Sequence, residues 1–195
     1  MRQRETDLAS SSPRRRDILR QVGLDFEVIV PDVDESGISG IPEETVRQLA
    51  RLKAKAVFDM IRDSDSLILS ADTVVSIDGL ILNKPVDEQD AFRMLRLLSG
   101  REHEVCTGVC LVRSSASGVF CPRVESVKTS VSFLPVTEDQ IWSYIRTGEP
   151  MDKAGAYGIQ GRGALFVDRL NGDYYNVVGL PVSQVARMIE KEKNG

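Results

Sequence analysis

The stretch LILSADTVVSIDGLILNKP, from Leu67 to Pro85, places a carboxylate inside an apolar run, which few ways of folding accommodate. Leu67–Leu69 is typical of a buried strand, and the apolar pattern resumes at Val74 after the polar interruption. Asp72 is therefore a charge in a core run, predicted to lie at the end of a strand. A strand-end carboxylate is also common as a solvated turn residue or cap, so this residue alone does not establish a site.

The second half of the stretch predicts a hairpin. Asp78-Gly79 is a turn dipeptide, and it should fold the apolar segment Leu80–Leu82 back against the first strand. This second strand ends near Lys84, which the hairpin returns toward Asp72. An acid able to hold a metal and a cation able to meet a phosphate would then share one edge of a sheet.

Composition limits the classes of partner. The chain has 195 residues, 42% of them hydrophobic, which predicts a single domain over residues 1–195. A net charge of −4 and a pI near 5.2 argue against a general binder of nucleic acid or of a membrane surface. Cys106, Cys110 and Cys121 are odd in number and lack CxxC spacing, so neither a disulfide framework nor a structural zinc site is expected.

The sequence also predicts the cellular compartment of the protein. No apolar run approaches the length of a membrane span, and the N-terminus has no apolar core of a signal peptide. Together with the cysteine usage, this predicts a cytoplasmic protein. An anionic ligand would have to meet locally clustered cations.

One such cluster stands at the predicted start of a helix. Ser10 and Ser12 precede Pro13, and Arg14 and Arg15 follow it, which indicates capping serines and a proline in the first helical turn. A cation at a helix N-terminus destabilises the helix by roughly 0.3–1 kcal/mol, because it is repelled by the positive end of the helix dipole. Arginines at this position therefore suggest a binding site for phosphate, which the helix N-terminus also attracts. A well-capped surface helix with solvated arginines is the alternative from this segment alone.

Two further segments carry charged candidates. Glu35 lies in an acidic loop, residues 31–37, where it could join Asp72 at a divalent metal or simply be solvated. Lys53 falls on the apolar face of a helix that Pro42 opens. A lysine there usually extends its amine to the edge of the core, whereas beside a phosphate site it would be a buried, partnered cation.

A glycine-rich segment follows a predicted helix that begins at Thr137. Five glycines between Gly148 and Gly163 allow the backbone to approach a ligand closely, and Asp152, Lys153 and Gln160 supply polar groups. The spacing matches neither a P-loop nor a dinucleotide fingerprint, and a plain connector is the alternative.

The remaining segments predict a sheet flanked by helices. With one histidine, His103, and no glycine-flanked nucleophile, a Ser-His-Asp hydrolase is not expected. The other strands are predicted at Phe26–Val30, Val105–Val112, Ser126–Phe133, Leu165–Val167 and Tyr174–Leu180, with a turn at Ser114–Gly118 and a terminal helix from Pro181 to Ile189. The first strand should be short, frayed or on an edge of the sheet, because Arg4–Asp7 before Leu8 is polar.

The order of these motifs resembles the Maf family of nucleoside triphosphate pyrophosphatases, relatives of the inosine triphosphatase-like fold. The resemblance covers nearly the whole chain. It runs through Ala9–Arg15 (ASSSPRR), Asp34–Ser36 (DES), Leu49–Ala54 (LARLKA), Ala71–Val75 (ADTVV), Lys84-Pro85, Leu98–His103 (LSGREH), Thr107–Val109 (TGV), Gly148–Gly161 (GEPMDKAGAYGIQG) and Asn176–Pro181 (NVVGLP).

The resemblance implies a mixed α/β domain with a central twisted sheet flanked by helices and a cleft between two lobes. It implies cleavage of a nucleoside triphosphate between the α and β phosphates, with Mg²⁺ or Mn²⁺, giving a monophosphate and pyrophosphate. Asp72 would accept the proton from water, and Glu35 and Asp72 would hold the metal. Ser10 or Ser12, Arg14 or Arg15, Lys53 and Lys84 would hold the triphosphate. Asp152 and Lys153 are further residues expected to bind the substrate.

Three positions that separate specificities in the family match Arg14, Thr73 and Gln160 here. This combination resembles the subgroup acting on dTTP, UTP and modified uridine triphosphates; the subgroup favouring 7-methyl-GTP carries tryptophan, glutamine and glutamate there. The family also implies removal of non-standard nucleotides, a link to septum formation, and homodimerisation. Rival interpretations are a nucleotide-sensing regulator of cell division without catalysis, and a nucleotidyltransferase.

Overall fold

The centre of the molecule is a single mixed sheet. The computed structural model describes residues 6–61, 65–114 and 118–194. In that part of the chain the strands are β1 (Thr6–Ala9), β2 (Glu27–Val28), β3 (Leu67–Ile77), β4 (Leu80–Leu82), β5 (Glu102–Arg113), β6 (Arg123–Phe133) and β7 (Val167–Asn171). Their order is β2-β1-β3-β5-β6-β7, with β4 paired to β3. β1 runs parallel to β2 and β3, and the other pairs are antiparallel.

Helices flank this sheet. They are α1 (Pro13–Gln21), α2 (Pro42–Met60), α3 (Glu88–Leu98), α4 (Glu138–Ile145), α5 (Tyr174–Val178) and α6 (Val182–Asn194), with short 3-10 turns at Glu149–Asp152, Ala154–Ala156 and Arg162–Phe166. Local signals explain their starts: proline opens α1 and α2, the Asp87 carboxylate caps α3, and Thr137 with Gln140 forms a capping box on α4.

Separate hydrophobic cores define two lobes along the sheet. In the first, which we call the α1 lobe, helices α1 and α6 pack on β1 and the first half of β3. Its fully buried side chains include Leu8, Ile18, Leu19, Leu69, Leu111 and Val185. In the second, the α3 lobe, helices α3 and α4 pack on the second half of β3, with Leu95, Leu98, Phe133, Ile141 and Tyr157 buried. The predicted two-lobed α/β domain with a central mixed sheet is confirmed.

One prediction about β3 is wrong. Asp72 does not lie at a strand end, because β3 continues without a break from Leu67 to Ile77. Ser70 and Asp72 take part in the β5 pairing like their apolar neighbours. The strand tolerates the charge because Asp72 has a cationic partner on α2, which the sequence pattern does not show.

The C-terminal strand prediction is also wrong. Tyr174–Val178 is a helix, although Tyr174–Leu180 is rich in residues that favour strands. The Asp173 carboxylate caps it by accepting from the Tyr175 and Asn176 N–H groups, and Gly179, with a φ of 122°, ends it. A good N-cap and a glycine stop therefore outweigh the residue preferences.

Other boundaries differ more modestly. The predicted strand at Phe26–Val30 is reduced to Glu27–Val28, and the one at Leu165–Val167 begins only at Val167. The β5–β6 pair is confirmed, but the turn predicted to join these strands includes residues 115–117, outside the described part of the chain. Among the helices described, none has the length and apolar character needed to cross a membrane.

Candidate active site

A cleft of about 1080 Å³ lies between the two lobes. Its walls come from the start of α1, the loop at residues 30–39, α2, the middle of β3, the end of the β3–β4 hairpin, and the glycine-rich segment at residues 149–161. All the residues predicted to form a site line this cleft: Ser10, Ser12, Arg14, Arg15, Glu35, Lys53, Asp72, Thr73, Lys84, Asp152, Lys153 and Gln160. The structure therefore brings together segments that are far apart in sequence.

Lys53 joins the two carboxylates that were predicted to hold a metal. Its Nζ lies 2.5 Å from Asp72 Oδ1 and 2.9 Å from Glu35 Oε1. The Lys53 and Asp72 side chains are only 15% and 14% exposed, whereas Glu35 is 49% exposed. The lysine does not extend to bulk solvent; it forms an ion pair in the cleft wall that a second carboxylate reaches from the loop.

Close packing of α2 on the sheet allows this contact. Gly108 is paired with Asp72 across β5 and β3, so the two residues face the same side of the sheet. A Cβ on Gly108 would lie 2.2 Å from the Val46 carbonyl oxygen of α2. Only glycine lets the helix backbone approach this near, and Lys53 lies two turns further along the same helix.

Arg15 is fastened to the protein by three hydrogen bonds. Its Nε donates to Gly179 O (2.8 Å), Nη1 to Ser10 Oγ (3.2 Å) and Nη2 to Thr73 Oγ1 (3.2 Å). Burial lowers the pKa of Arg15, an effect that the nearby negative charge of Asp72 opposes. Because a guanidinium has five N–H groups, Arg15 can still contribute to the cleft, but much of its capacity orders the wall.

Thr73 connects this arginine to the interior of the sheet. The Thr73 and Thr107 hydroxyl oxygens are 2.9 Å apart, and Thr107 Oγ1 donates to Asn176 O at 3.0 Å. The TGV motif at residues 107–109 thus supplies both a hydroxyl to this chain of hydrogen bonds and the glycine beside α2. No sequence signal beyond the motif itself pointed to Thr107 or Gly108.

The serine loop before α1 is organised differently from the prediction. Ser12 occupies the N-cap position, but its side chain makes no capping hydrogen bond within the described structure. Its N–H instead donates to Ser10 Oγ at 3.2 Å, and Ser10 is buried. The Ser12 hydroxyl and the first turn of α1 are therefore left facing the cleft.

An ion pair joins the start of α1 to the glycine-rich segment. Arg14 Nη1 lies 3.1 Å from Asp152 Oδ2, and Lys153 Nζ lies 2.6 Å from Asp152 Oδ1. Burial alone would raise the pKa of Asp152, but the hydrogen bonds and charges of Lys153 and Arg14 lower it below its usual value. Asp152 therefore acts on two cations of the cleft at once.

The hairpin prediction for Lys84 is confirmed in its geometry. Leu82 pairs with Val75, so the chain beyond β4 runs back toward Thr73 and Asp72. Lys84 is exposed and lines the cleft, and it makes no ion pair with any other residue that the structure describes. Its ammonium is available to an anion.

Glu149 and Tyr144 order the glycine-rich segment, and neither was predicted from sequence to be a site residue. Glu149 Oε1 accepts a hydrogen bond from Tyr144 OH at 2.7 Å, and Glu149 Oε2 accepts one from the Arg162 N–H at 2.9 Å. A Cβ on Gly161 would lie 2.3 Å from Glu149 Oε1. This segment is therefore an ordered wall built around a carboxylate and not a plain connector; the density of glycines was the available signal.

Few side chains in the cleft are placed to bind a metal ion. Within the described residues, no group of three or more His, Cys, Asp or Glu side chains is placed to hold an ion. Glu35 and Asp72 nevertheless contact the same ammonium, so they are placed to share one cation. The cleft thus combines a carboxylate pair with several cations, the side chains expected of a protein that binds a polyanionic ligand.

Comparison with known proteins gives the family. The family model described as Maf-like protein matches residues 6–192, and the chain therefore belongs to the Maf family. It is 51% identical over 183 residues to a protein named dTTP/UTP pyrophosphatase from Thermococcus gammatolerans, a match covering 94% of each chain. It is 50% identical to a protein of the same name from Symbiobacterium thermophilum, covering 93% of this chain and 91% of that relative.

A solved structure supports the fold. The chain resembles a HAM1 protein from Coxiella burnetii with a TM-score of 0.52, over 97% of this chain and 100% of that one. The two share 16% of their residues in the alignment, so the likeness concerns the arrangement of the sheet and helices alone.

Proposed function

We propose that this chain is a nucleoside triphosphate pyrophosphatase that hydrolyses dTTP, UTP and modified pyrimidine triphosphates to the monophosphate and pyrophosphate. The observation that carries the proposal is the Lys53 ammonium between Asp72 and Glu35, in a cleft that Arg14 and Lys84 also line. Relatives about half identical over nearly the whole chain bear the name dTTP/UTP pyrophosphatase.

The charge balance of the cleft suits a triphosphate. A triphosphate beside two carboxylates is repelled by roughly 4 kcal/mol per close pair of charges near a protein surface, so cations must accompany it. Arg14, Lys53 and Lys84 supply them from three walls. In this proposal Arg14 exchanges part of its contact with Asp152 for a phosphate oxygen, and Lys153 keeps Asp152 paired meanwhile.

The chemistry requires a water, a proton acceptor and a stabilised leaving group. Water oxygen forms a bond to the α-phosphorus while the bond from that phosphorus to the bridging α–β oxygen breaks, and pyrophosphate leaves with the electron pair. Asp72 takes the proton from the attacking water. Lys53, Lys84 and Arg14 stabilise the negative charge that develops on the leaving group.

The residues fit a divalent cation, Mg²⁺ or Mn²⁺. Lys53 already occupies a position where one positive centre contacts Asp72 and Glu35, and hard cations prefer such carboxylate oxygens together with phosphate oxygens. When bound, the metal would neutralise phosphate charge and polarise the reacting phosphoryl group. We assign Glu35 and Asp72 as its protein ligands.

Selectivity for the base is proposed to involve Arg14, Thr73 and Gln160. Thr73 is held by Arg15 and Thr107, and Gln160 is exposed and also lines the cleft. A fixed hydroxyl and an amide that can donate and accept hydrogen bonds are suited to the edge of a pyrimidine.

The test is a panel of nucleoside triphosphates assayed with Mg²⁺ or Mn²⁺, separating the products by chromatography. Asp72→Asn should lose at least about a hundredfold in kcat while still binding UTP, because a proton acceptor contributes about 10²–10⁴-fold. Asp78→Asn, on the exposed hairpin turn and paired with Arg101, is the matched control and should retain activity.

Each contrary outcome has a distinct meaning. Full activity in Asp72→Asn would remove this carboxylate from the chemistry. Binding of UTP without any turnover by the unaltered protein would favour a nucleotide-sensing regulator, and preference for 7-methyl-GTP would contradict the proposed selectivity. Transfer of the nucleotide to an acceptor alcohol would indicate a nucleotidyltransferase.

A further inference from the structure

A partly buried set of hydrogen bonds orders the glycine-rich wall of the cleft, and we call it the Glu149 clamp. It consists of the Tyr144 and Glu149 side chains with the backbone N–H groups of Gly158, Arg162 and Gly163. Glu149 Oε1 accepts from Tyr144 OH (2.7 Å) and from the Gly163 N–H (3.3 Å), and Oε2 accepts from the Arg162 N–H (2.9 Å). The Tyr144 hydroxyl in turn accepts from the Gly158 N–H at 3.0 Å.

The surrounding glycines are shaped to this clamp. A Cβ at Gly161 would lie 2.3 Å from the carboxylate, and one at Gly163 would lie 2.8 Å from the Tyr144 hydroxyl. The backbone therefore passes directly beside the two side chains, and a Cβ at Gly161 would displace the Glu149 carboxylate from its hydrogen bonds. Glu149 lines the cleft, but both of its carboxylate oxygens accept hydrogen bonds from the protein, so the residue is placed to hold the wall.

The clamp holds both ends of the turn that carries Gln160. Gly158 lies two residues before Gln160 and Arg162 two residues after it, and both are fixed through their N–H groups. Gln160 itself is exposed to the cleft. The backbone position of Gln160 is thus set by hydrogen bonds made on both sides of it, at Gly158 and at Arg162.

A fixed turn matters because of the chemistry of an amide. A glutamine presents a donor and an acceptor at opposite sides of one planar group, and a freely rotating side chain would suit uracil and cytosine equally well. These bases differ in having a carbonyl oxygen or an amino group at position 4. Discrimination between them therefore requires the amide to meet the base in one orientation, and a fixed backbone limits the orientations that the side chain can reach.

We propose that Glu149 and Tyr144 are positioning residues for base selectivity, which hold the Gln160 turn so that one edge of the amide faces the nucleobase. This inference rests on the proposed pyrimidine triphosphate pyrophosphatase function. It assigns to the clamp the selectivity between bases, and leaves the handling of the triphosphate to the residues around Asp72.

The state of the carboxylate is consistent with that role. Burial alone would raise the pKa of Glu149, but the hydrogen bonds from Tyr144, Arg162 and Gly163 and the charge of Lys153 lower it. Burial and the hydrogen bond to Glu149 raise the pKa of Tyr144. The pair therefore remains a neutral phenol donating to an anionic carboxylate at neutral pH, and the clamp stays closed.

The experiment compares Glu149→Gln and Tyr144→Phe with Glu138→Gln. Glutamine keeps the shape of Glu149 but directs an amide NH₂ at an N–H or O–H donor, and phenylalanine removes only the hydroxyl. Glu138 is an exposed residue in the first turn of α4, 3.9 Å from Arg96, and serves as the matched control. For each variant we would measure kcat and KM for UTP and CTP, the Ki of inorganic tripolyphosphate, and the Tm.

We expect the UTP-over-CTP ratio of kcat/KM to fall about tenfold in both clamp variants, as the loss of a hydrogen bond to a charged group implies. The Ki of tripolyphosphate, which has no base, should stay within about twofold of the unaltered protein. The Glu138→Gln control should change neither quantity. A role in folding alone would lower the Tm without moving the ratio.

Other results overturn the proposal. The proposal is wrong if folded clamp variants keep the UTP-over-CTP ratio of kcat/KM. It is also wrong if kcat/KM falls equally for both nucleotides while tripolyphosphate inhibits more weakly. Failure of both variants to fold would show that the clamp is structural. Failure of the proposed function is seen separately, because the unaltered protein and the Glu138→Gln control would then not turn over UTP.

Discussion

Lys53 is a largely buried cation that contacts carboxylates from two different parts of the chain. Asp72 reaches it from the middle of β3 and Glu35 from a loop, with Nζ–oxygen distances of 2.5 and 2.9 Å. Charges held in a wall of low exposure interact more strongly than the same charges in solvent. This geometry supports the proposal that Lys53 takes part in the reaction and does not merely border the core.

Replacing Lys53 tests that assignment. Lys53→Met keeps the length of the side chain but leaves Asp72 and Glu35 without their shared cation. We expect kcat for UTP to fall by about 10²–10³-fold, as for the loss of one preorganised electrostatic group. Steady-state kinetics over a range of Mg²⁺ concentrations is the measurement.

Lys55→Met is the matched control for this prediction, since Lys55 is on the same helix and pairs with Asp59 on its exposed face. It should behave as the unaltered protein does. Normal kcat in Lys53→Met would show that the ion pair only organises the cleft wall.

At the scale of elements, the contact between α2 and the sheet decides whether the carboxylate on β3 and the lysine on α2 meet. Gly108 on β5 faces the same side of the sheet as Asp72, and the Val46 carbonyl of α2 lies where its Cβ would be. The helix thus approaches the sheet over a residue without a side chain. This close approach brings Lys53 of α2 into contact with Asp72 of β3.

Gly108→Ala should therefore disturb both stability and activity. A Cβ placed 2.2 Å from a backbone oxygen forces α2 outward. We expect the free energy of unfolding to fall by about 3 kcal/mol, the upper part of the range for overpacking, and kcat/KM to fall with it as Lys53 moves from Asp72. Urea unfolding and kinetics measure the two effects.

Gly23→Ala provides the comparison. That glycine has a φ of 69°, but a Cβ added to it would have no atom within 4 Å, so only the backbone conformation is strained. The expected loss is about 1 kcal/mol, without a change in kcat. Equal effects of the two substitutions would contradict the close-approach argument.

At the scale of the whole molecule, the α3 lobe contains a buried histidine. His103 is 2% exposed, its Nε2 lies 2.8 Å from Tyr157 OH, and its Nδ1 has no partner within the described residues. Burial lowers the pKa of His103 from 6.5 to about 4. The histidine is therefore neutral in the folded protein under ordinary conditions.

This burial makes the stability of the protein depend on pH in a defined direction. Below pH 6.5 the unfolded chain binds a proton at His103, whereas the folded protein does not until about pH 4. Acidification across that interval therefore favours unfolding, by up to about 3 kcal/mol from this residue. Above pH 6.5 the residue has no such effect.

The measurement compares chemical unfolding of the unaltered protein and His103→Gln between pH 4 and pH 7. Glutamine can hydrogen-bond to Tyr157 but cannot take up a proton, so carboxylate effects common to both proteins cancel. We expect the unfolding free energy of the unaltered protein to fall relative to that of His103→Gln as the pH falls from 7 to 4. A difference that stays constant would show that the histidine titrates equally in both states.

Much of the fold was predictable because its signals are local. The hairpin at Asp78-Gly79, the Thr137 capping box and the proline starts of α1 and α2 depend on neighbouring residues, and all are present. Tyr174–Leu180 was predicted as a strand, but its first five residues form a helix, because a run of apolar, β-favouring residues cannot by itself be distinguished from a short buried helix. There the Asp173 cap decided the structure.

The sequence by itself determined the set of charged residues, their family pattern and the α/β class. Tertiary structure decided which of them meet: Lys53 with Asp72 and Glu35, Arg14 with Asp152, and Glu149 with the Gly158–Gly163 turn. Arg15, adjacent in sequence to Arg14, became a support of the wall through Gly179 and Thr73. The physical reason is that ion pairs and hydrogen bonds act over a few ångströms, and such proximity between distant segments arises only when the lobes pack.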